Sequence, residues 1–226
     1  MDALKEVLIF FENHTISFVI TAILILFLVK IGNFYLNHIE ENLKLKKHNN
    51  KIEETNKINV VIDDLIEKVR MEARACRSYV FQFRNGDYYL GGMAKHKMDC
   101  TNEKLNPNGK VSSEKESRQD LPFNLFGSFV DMLQNNDYLV IDINNKTEDY
   151  DDIVYGTLSK RNTIKTVRVK IVNLKGWTIG CFCLDYCNEK ESNNFEEEKE
   201  DIIKIAKNTA TQLGAILSMS VKKKEG

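Results

Sequence analysis

The sequence predicts an α+β protein: an antiparallel sheet flanked by helices, preceded by a transmembrane helix and a linker helix. Three observations carry this reading. A run near the N-terminus is free of charge for long enough to cross a bilayer. A stretch without proline follows, with apolar residues at helical spacing. Beyond Cys76 the apolar period shortens to two, and short strands alternate with helices up to a long closing helix. The 226 residues allow one anchored domain of about 150 residues.

Composition narrows the class. Hydrophobic residues at 42% and charged residues at 29% exclude collagen-like and fully disordered chains. A net charge of -1 leaves no global electrostatic footprint for nucleic acid, so no nucleic-acid partner is expected. The 25 Lys against 7 Arg, with 23 Asn, fit an AT-rich coding sequence of bacterial or phage type.

Residues 1–12 form a short N-terminal segment. From residue 13 to residue 29 there is no Asp, Glu, Lys or Arg, and the run extends to Gly32. That reaches the roughly 17–20 residues a membrane-crossing helix needs. A cleaved signal peptide fits poorly, because Asp2, Glu6 and Glu12 outnumber Lys5 and no small-x-small site follows. The alternative is a buried core helix. Lys30, Lys44, Lys46 and Lys47 follow the span and only Lys5 precedes it. By the positive-inside rule the expectation is a single-pass protein of the inner membrane, with the lipid bilayer as partner and the C-terminal domain in the cytoplasm. Five cysteines, Cys76, Cys100, Cys181, Cys183 and Cys187, are an odd set facing a reducing compartment and are expected to be free thiols.

Residues 33–57 read as a helical linker. Ile39, Leu43 and Ile52 give a partial coiled-coil seam, with a plain solvated helix as the alternative. Ile58, Ile62, Leu65, Val69 and Ala73 then recur on one helical face and open a domain over residues 58–220. Residues 78–83 alternate as a strand, and Arg84-Asn85-Gly86-Asp87 reads as its turn. A second strand begins at Tyr88, bent at Gly91-Gly92 before residues 93–98. Residues 99–119 are polar and read as a long exposed loop around Asn106-Pro107-Asn108-Gly109. Leu121-Pro122 opens a helix with Phe126, Phe129, Val130 and Leu133 on its apolar side. Residues 138–142 form a strand, residues 152–160 a short helix, and residues 166–172 and 177–186 a strand pair about a Gly176 turn. The last helix starts at Asn193-Asn194 and carries Phe195, Ile202, Ile203, Ala206, Ala210, Leu213 and Leu217. A basic tail, residues 221–226, ends the sequence.

This order resembles the GAF family of sensory domains, a GAF/PAS-like architecture. The C-terminal third carries most of the resemblance: a strand, a glycine turn, Gly180 before a strand ending in Asp185, then Phe195 followed by acidic residues and a long amphipathic helix. Phe81-Gln82-Phe83-Arg84-Asn85-Gly86 is similar to a strand end of GAF-like proteins of bacteria and their phages, with Arg84 where His is common. The resemblance implies a ligand cavity on the sheet face opposite the long helices, bracketed by the end of the first strand and the 152–160 helix. It therefore implies ligand-binding roles for Arg84, Asn85, Asp87, Tyr155 and Arg161. Two arginines and a tyrosine suit a small anionic, partly planar ligand or a protein partner. The resemblance also implies a homodimer along the first and last helices, with Ile58, Ile62, Leu65, Val69, Leu213 and Leu217 at the interface. The cyclic-nucleotide motif is missing, and no Cys lies near the 152–160 helix where a bilin would attach, so no particular cofactor is expected.

Other chemistry finds little footing. Cys181, Cys183 and Cys187 lack the spacing and the histidines of a metal site and read as small residues behind a sheet. The four histidines are scattered, and no phosphate-binding loop is present, so an enzyme is not expected. The function that results is a membrane-anchored sensory or regulatory module without its own catalytic output. The alternative is a phage-type membrane structural or holin-like lysis protein with a GAF-like assembly domain.

Overall fold

The computed structural model describes residues 2–88, 94–108, 111–150 and 152–222. Two compact units are present, Met1–Glu54 and Thr55–Gly226. The first belongs to helix α1 (Asp2–Glu72). It contains a segment long and apolar enough to cross a membrane, and Val19, Ile20 and residues 24–29 are exposed along it.

The second unit is built on a six-stranded sheet in the order β3-β2-β1-β6-β5-β4. Its strands are β1 (Arg77–Tyr88), β2 (Ala94–Leu105), β3 (Leu121–Pro122), β4 (Tyr138–Asp142), β5 (Lys165–Val172) and β6 (Thr178–Tyr186). Every neighbouring pair is antiparallel. Period-two alternation divides each strand between two buried faces. Val80, Val167, Val169, Ile171, Phe182, Leu184 and Tyr186 point to one face. There they meet Ile62, Ile66, Val69 and Ala73 of α1, Phe195 of α4 (Glu189–Glu197), and Ile202, Ala206, Ala210, Leu213 and Leu217 of α5 (Lys199–Lys222). Tyr79, Phe81, Met98, Cys100, Leu139, Ile141, Cys181 and Cys183 point to the other. They are covered by Phe129, Val130 and Leu133 of α2 (Gly127–Asn135) and by Val154, Tyr155 and Leu158 of α3 (Asp152–Lys160).

Several expectations change. Arg84-Asn85-Gly86-Asp87 is not a turn but part of β1, with Arg84 opposite Lys97 and Asn85 opposite His96. Gly86 serves close approach: a Cβ there would collide with the Lys95 carbonyl, beside a register shift between Asn85 and Tyr88. The connection through Gly91, Gly92 and Met93 lies outside the described residues. Residues 99–105 belong to β2 and not to a loop, because their polar side chains find partners. Asn102 donates to Asp63 Oδ1 of α1 at 2.8 Å, and Lys104 pairs with Asp63 at 3.3 Å. The closing helix is two helices. Asn188, not Asn193-Asn194, caps α4, its Oδ1 accepting the Glu191 N–H at 2.9 Å.

Two further corrections concern function. Cys76 and Cys187 are joined as a disulfide across a Cα separation of 6.0 Å, leaving Cys100, Cys181 and Cys183 as free, buried thiols. Pairing of Arg77 with Asp185 brings together cysteines that lie 111 residues apart, a proximity no local pattern announces. The expected dimer stripe is also taken up differently. Ile62, Val69, Leu213 and Leu217 are buried in the domain's own core, with Ile58 and Leu65 packed against it, because α1 and α5 use those faces against the sheet.

The β5–β6 hairpin tip is ordered by Asn173, whose Oδ1 accepts the N–H groups of Lys175 and Trp177 at 2.9 Å each. Gly176 takes the positive φ of 83° that the turn requires. Leu174 N–H donates to Ser218 Oγ of α5 at 3.1 Å, and Trp177 stands 68% exposed.

Candidate functional site

The sheet face under α2 and α3 is not purely apolar. Alternation in β1, β5 and β6 places Arg77 and Tyr79, Thr166 and Arg168, and Cys183 and Asp185 on that face. The 3-10 turn Glu116–Arg118 adds Arg118 from above. Asp185 is fully buried at the centre. Its carboxylate accepts Arg77 Nη1 at 3.0 Å, Tyr79 Oη at 3.0 Å, Thr166 Oγ1 at 2.8 Å and Thr163 Oγ1 at 3.3 Å, with Arg118 Nη2 at 3.5 Å. Glu103 of β2 is the second carboxylate, 3.5 Å from Arg77 Nε and 3.7 Å from Arg118 Nη1. The Arg118 guanidinium lies 4.0 Å over the Tyr79 ring and that of Arg168 4.6 Å over the Phe129 ring.

The charges do not cancel. Among the described residues, the guanidinium groups of Arg77, Arg118 and Arg168 face the carboxylates of Asp185 and Glu103. Arg161 at the end of α3 is nearly buried and meets Glu114 at 3.9 Å. Burial would raise the Asp185 pKa, but Arg118, Arg77 and Arg168 override it and hold the carboxyl below its ordinary range. Burial, and then Asp185, push Tyr79 well above its usual value, so it remains a neutral donor. Burial also pulls the Arg161 guanidinium downward, as does the field of Arg118. Arg77 Nε and Arg118 Nη1 face Glu103 at ion-pair distance without a hydrogen bond to it, and Arg118 Nε and Arg168 Nε have no hydrogen-bond acceptor among the described residues. Such a site has spare donors and one spare positive charge, the requirement for holding a carboxylate or phosphate group.

The five side chains expected to bind ligand fall in two places. Arg84 and Asn85 are exposed on β1, where Asp99 and Asp120 take the Arg84 guanidinium. The side chain of Asp87 lies outside the described residues. Tyr155 is buried under α3, its hydroxyl accepting the Thr147 N–H at 2.8 Å and donating to the Thr147 carbonyl at 3.2 Å. Arg161 lies at the edge of the arginine centre, whose charge acts on it. Arg77, Arg118, Arg168, Glu103 and Asp185 were missed as a group. A signal existed in the Thr166-Val167-Arg168-Val169 alternation, which turns an arginine inward if both faces of the strand are covered.

No protein-family model matches the sequence, and comparison with curated proteins finds no relative. Solved structures do match in fold. One is a GAF domain of Synechocystis sp. in its photoproduct state, at 12% identity and a TM-score of 0.51, over 74% of this chain and 98% of that one. Another is the PixJ GAF domain of Thermosynechococcus elongatus in its blue-light absorbing form, at 13% identity and a TM-score of 0.50, over 76% and 94%. At such identities the likeness is one of fold, and the fold of this chain is GAF-like.

Proposed function

We propose that the protein is a membrane-anchored sensory or regulatory module whose GAF-like domain holds a small anionic ligand at the arginine centre. It passes the signal to a protein partner or a second copy and catalyses no reaction itself. One observation carries the reading: Arg77, Arg118 and Arg168 are buried against only two carboxylates, with donors to spare. An anion placed there restores charge balance in a poorly solvated site, which a neutral ligand would not do. The two matched GAF domains are described as light-responsive states, which fits a fold used for sensing. Self-association, in this reading, uses the outward residues Val60 and Val61 of α1. The expected topology, with the domain in the cytoplasm, belongs to the same proposal.

The test is thermal unfolding of the full chain in detergent micelles against a panel of phosphates, sulfate and dicarboxylates, with native mass spectrometry of the protein as purified. Saturating ligand at about 100 times Kd raises stability by about 2.7 kcal/mol. Arg168→Met should abolish that gain. A panel without effect, and a protein that carries no small molecule, would sink the reading.

A second reading keeps the fold as an assembly module of a phage-type membrane protein of holin-like character. The packing of Phe129, Leu133, Val154 and Leu158 over the sheet favours it, since the layer where a ligand would lie is well filled. Membrane permeabilisation on expression would decide for it.

A further inference from the structure

We propose that Cys76 and Cys187 form a reversible thiol–disulfide couple, opened by a cellular dithiol, that sets how firmly β1 and β6 grip the arginine centre. The inference rests on the reading of that centre as the binding site and of the domain as cytoplasmic.

The couple is placed where it acts. Cys76 directly precedes Arg77, and its N–H donates to the Asp185 carbonyl at 2.9 Å. Cys187 follows Asp185 by two residues, and its N–H donates to Glu191 Oε2 at 2.9 Å, next to the cap of α4. The bond therefore ties together the two backbone segments that carry the Arg77–Asp185 pair. It also fastens the end of α1 to the start of α4. Opening it releases a closed loop of over a hundred residues and leaves the pair held by the β1–β6 strand hydrogen bonds and its own ion pair, with no covalent tie.

The chemistry is selective. Cys76 is fully buried, while Cys187 is half-buried beside a cleft of about 500 Å³ lined by Arg74, Ala75, Asn188, Lys190, Glu191 and Asn194. In this proposal a thiolate approaches the more exposed sulfur, that of Cys187, whose neighbours Asn188, Lys190 and Glu191 line the cleft. It attacks Cys187 Sγ, a new S–S bond forms as the old one breaks, and Cys76 leaves with the electron pair and takes up a proton. The second thiol of the reductant then displaces Cys187, which is protonated, and the reductant departs as its own disulfide. Glu191 places a carboxylate within 4.8 Å of both sulfurs. The other cysteines stay out of this exchange. Burial pushes the Cys100 thiol up to about 12, and burial with the Cys181 contact raises the Cys183 thiol well above its ordinary value, so neither offers thiolate. In a reducing compartment, a disulfide reachable from the surface is a regulatory feature and not a permanent staple.

The experiment equilibrates the full chain, in detergent micelles, with graded ratios of oxidised to reduced dithiothreitol. Thiols are trapped with a maleimide and mapped by mass spectrometry, and amide hydrogen exchange is followed in the same samples. Cys76 and Cys187 should gain label together in one two-electron transition, with Cys100, Cys181 and Cys183 unlabelled. Exchange at residues 77–79 and 184–187 should rise by about tenfold or more on reduction. The Cys76→Ser, Cys187→Ser double variant should show the reduced pattern without reductant; if it does not fold, reduced wild type carries the comparison. Full labelling of both cysteines without reductant, persistence of the bond until the domain unfolds, or unchanged exchange would each overturn the proposal. Loss of anion-induced stabilisation with the redox transition intact counts against the binding-site reading and leaves the couple standing.

Discussion

The two faces of the sheet solve the same burial problem with different chemistry. The helix face, between the strands and α1, α4 and α5, is filled by Ile, Val, Leu, Ala and aromatic side chains. Gly214 lets α5 lie directly on β5, since a Cβ there would collide with the Val172 carbonyl. The opposite face has an apolar rim from α2 and α3 but an ionic centre of three arginines and two carboxylates. Apolar contacts are non-directional and each adds stability. Buried charges contribute only if every group finds its partner. The helix face is therefore where the domain derives its stability, and the opposite face is where it keeps an unfinished electrostatic arrangement.

Substitutions can break this contrast, beginning at the centre. Asp185→Ala removes the acceptor for Arg77, Tyr79, Thr163 and Thr166 and leaves three guanidinium groups against Glu103 alone. A loss of about 3–5 kcal/mol is expected in denaturant unfolding. The same group shapes the acid limb. Its folded pKa is depressed, so its stabilisation is complete above the unfolded value of about 3.9 and is lost as pH falls through the folded value. Asp185→Asn should remove that part of the acid dependence.

On the helix face, Leu213→Ala should cost about 2–5 kcal/mol through lost burial and a cavity, with no change in the effect of anions. Arg168→Met reverses the sign. Replacing the surplus cation with an apolar chain of similar length should stabilise the ligand-free domain by about 1–4 kcal/mol while abolishing the response to anions. A destabilised Arg168→Met domain would show that Arg168 is fully compensated and that the two faces do not differ as argued. The smallest effect belongs to Arg84→Ala. Its partners Asp99 and Asp120 lie at the surface, so the melting temperature and the anion response should both stay close to wild type.

The same contrast explains what the sequence disclosed. Elements of the helix face were legible because apolar periodicity is their whole mechanism, as in α1 from Ile58 and α5 to Leu217. The strand at Tyr138–Asp142 and the helix at Asp152–Lys160 fall where patterning puts them. The polar half of β2 was read as a loop because Asn102, Glu103 and Lys104 are satisfied by Asp63, Arg77 and Arg118, and ion-pair partners leave no periodic trace. The arginine centre gathers residues from β1, β2, β5, β6 and the turn before β3. Their charges look solvated until the strand order is known. Arg84-Asn85-Gly86-Asp87 attracted attention as a local cluster, yet locality is what a surface ion pair displays best.

The exposed hairpin tip has a consequence for how the molecule reports on itself. Trp177 is the only tryptophan in the sequence, and it faces solvent. Indole emission from the native protein is therefore already that of a hydrated chromophore and is nearly silent when the sheet melts; the buried Tyr79 and Tyr186 carry the optical signature of the core. The tip is joined to α5 through Leu174 and Ser218. Whatever comes to rest against that end of the domain, a second copy or a partner, would shift one fluorophore in a chain where no other tryptophan obscures it.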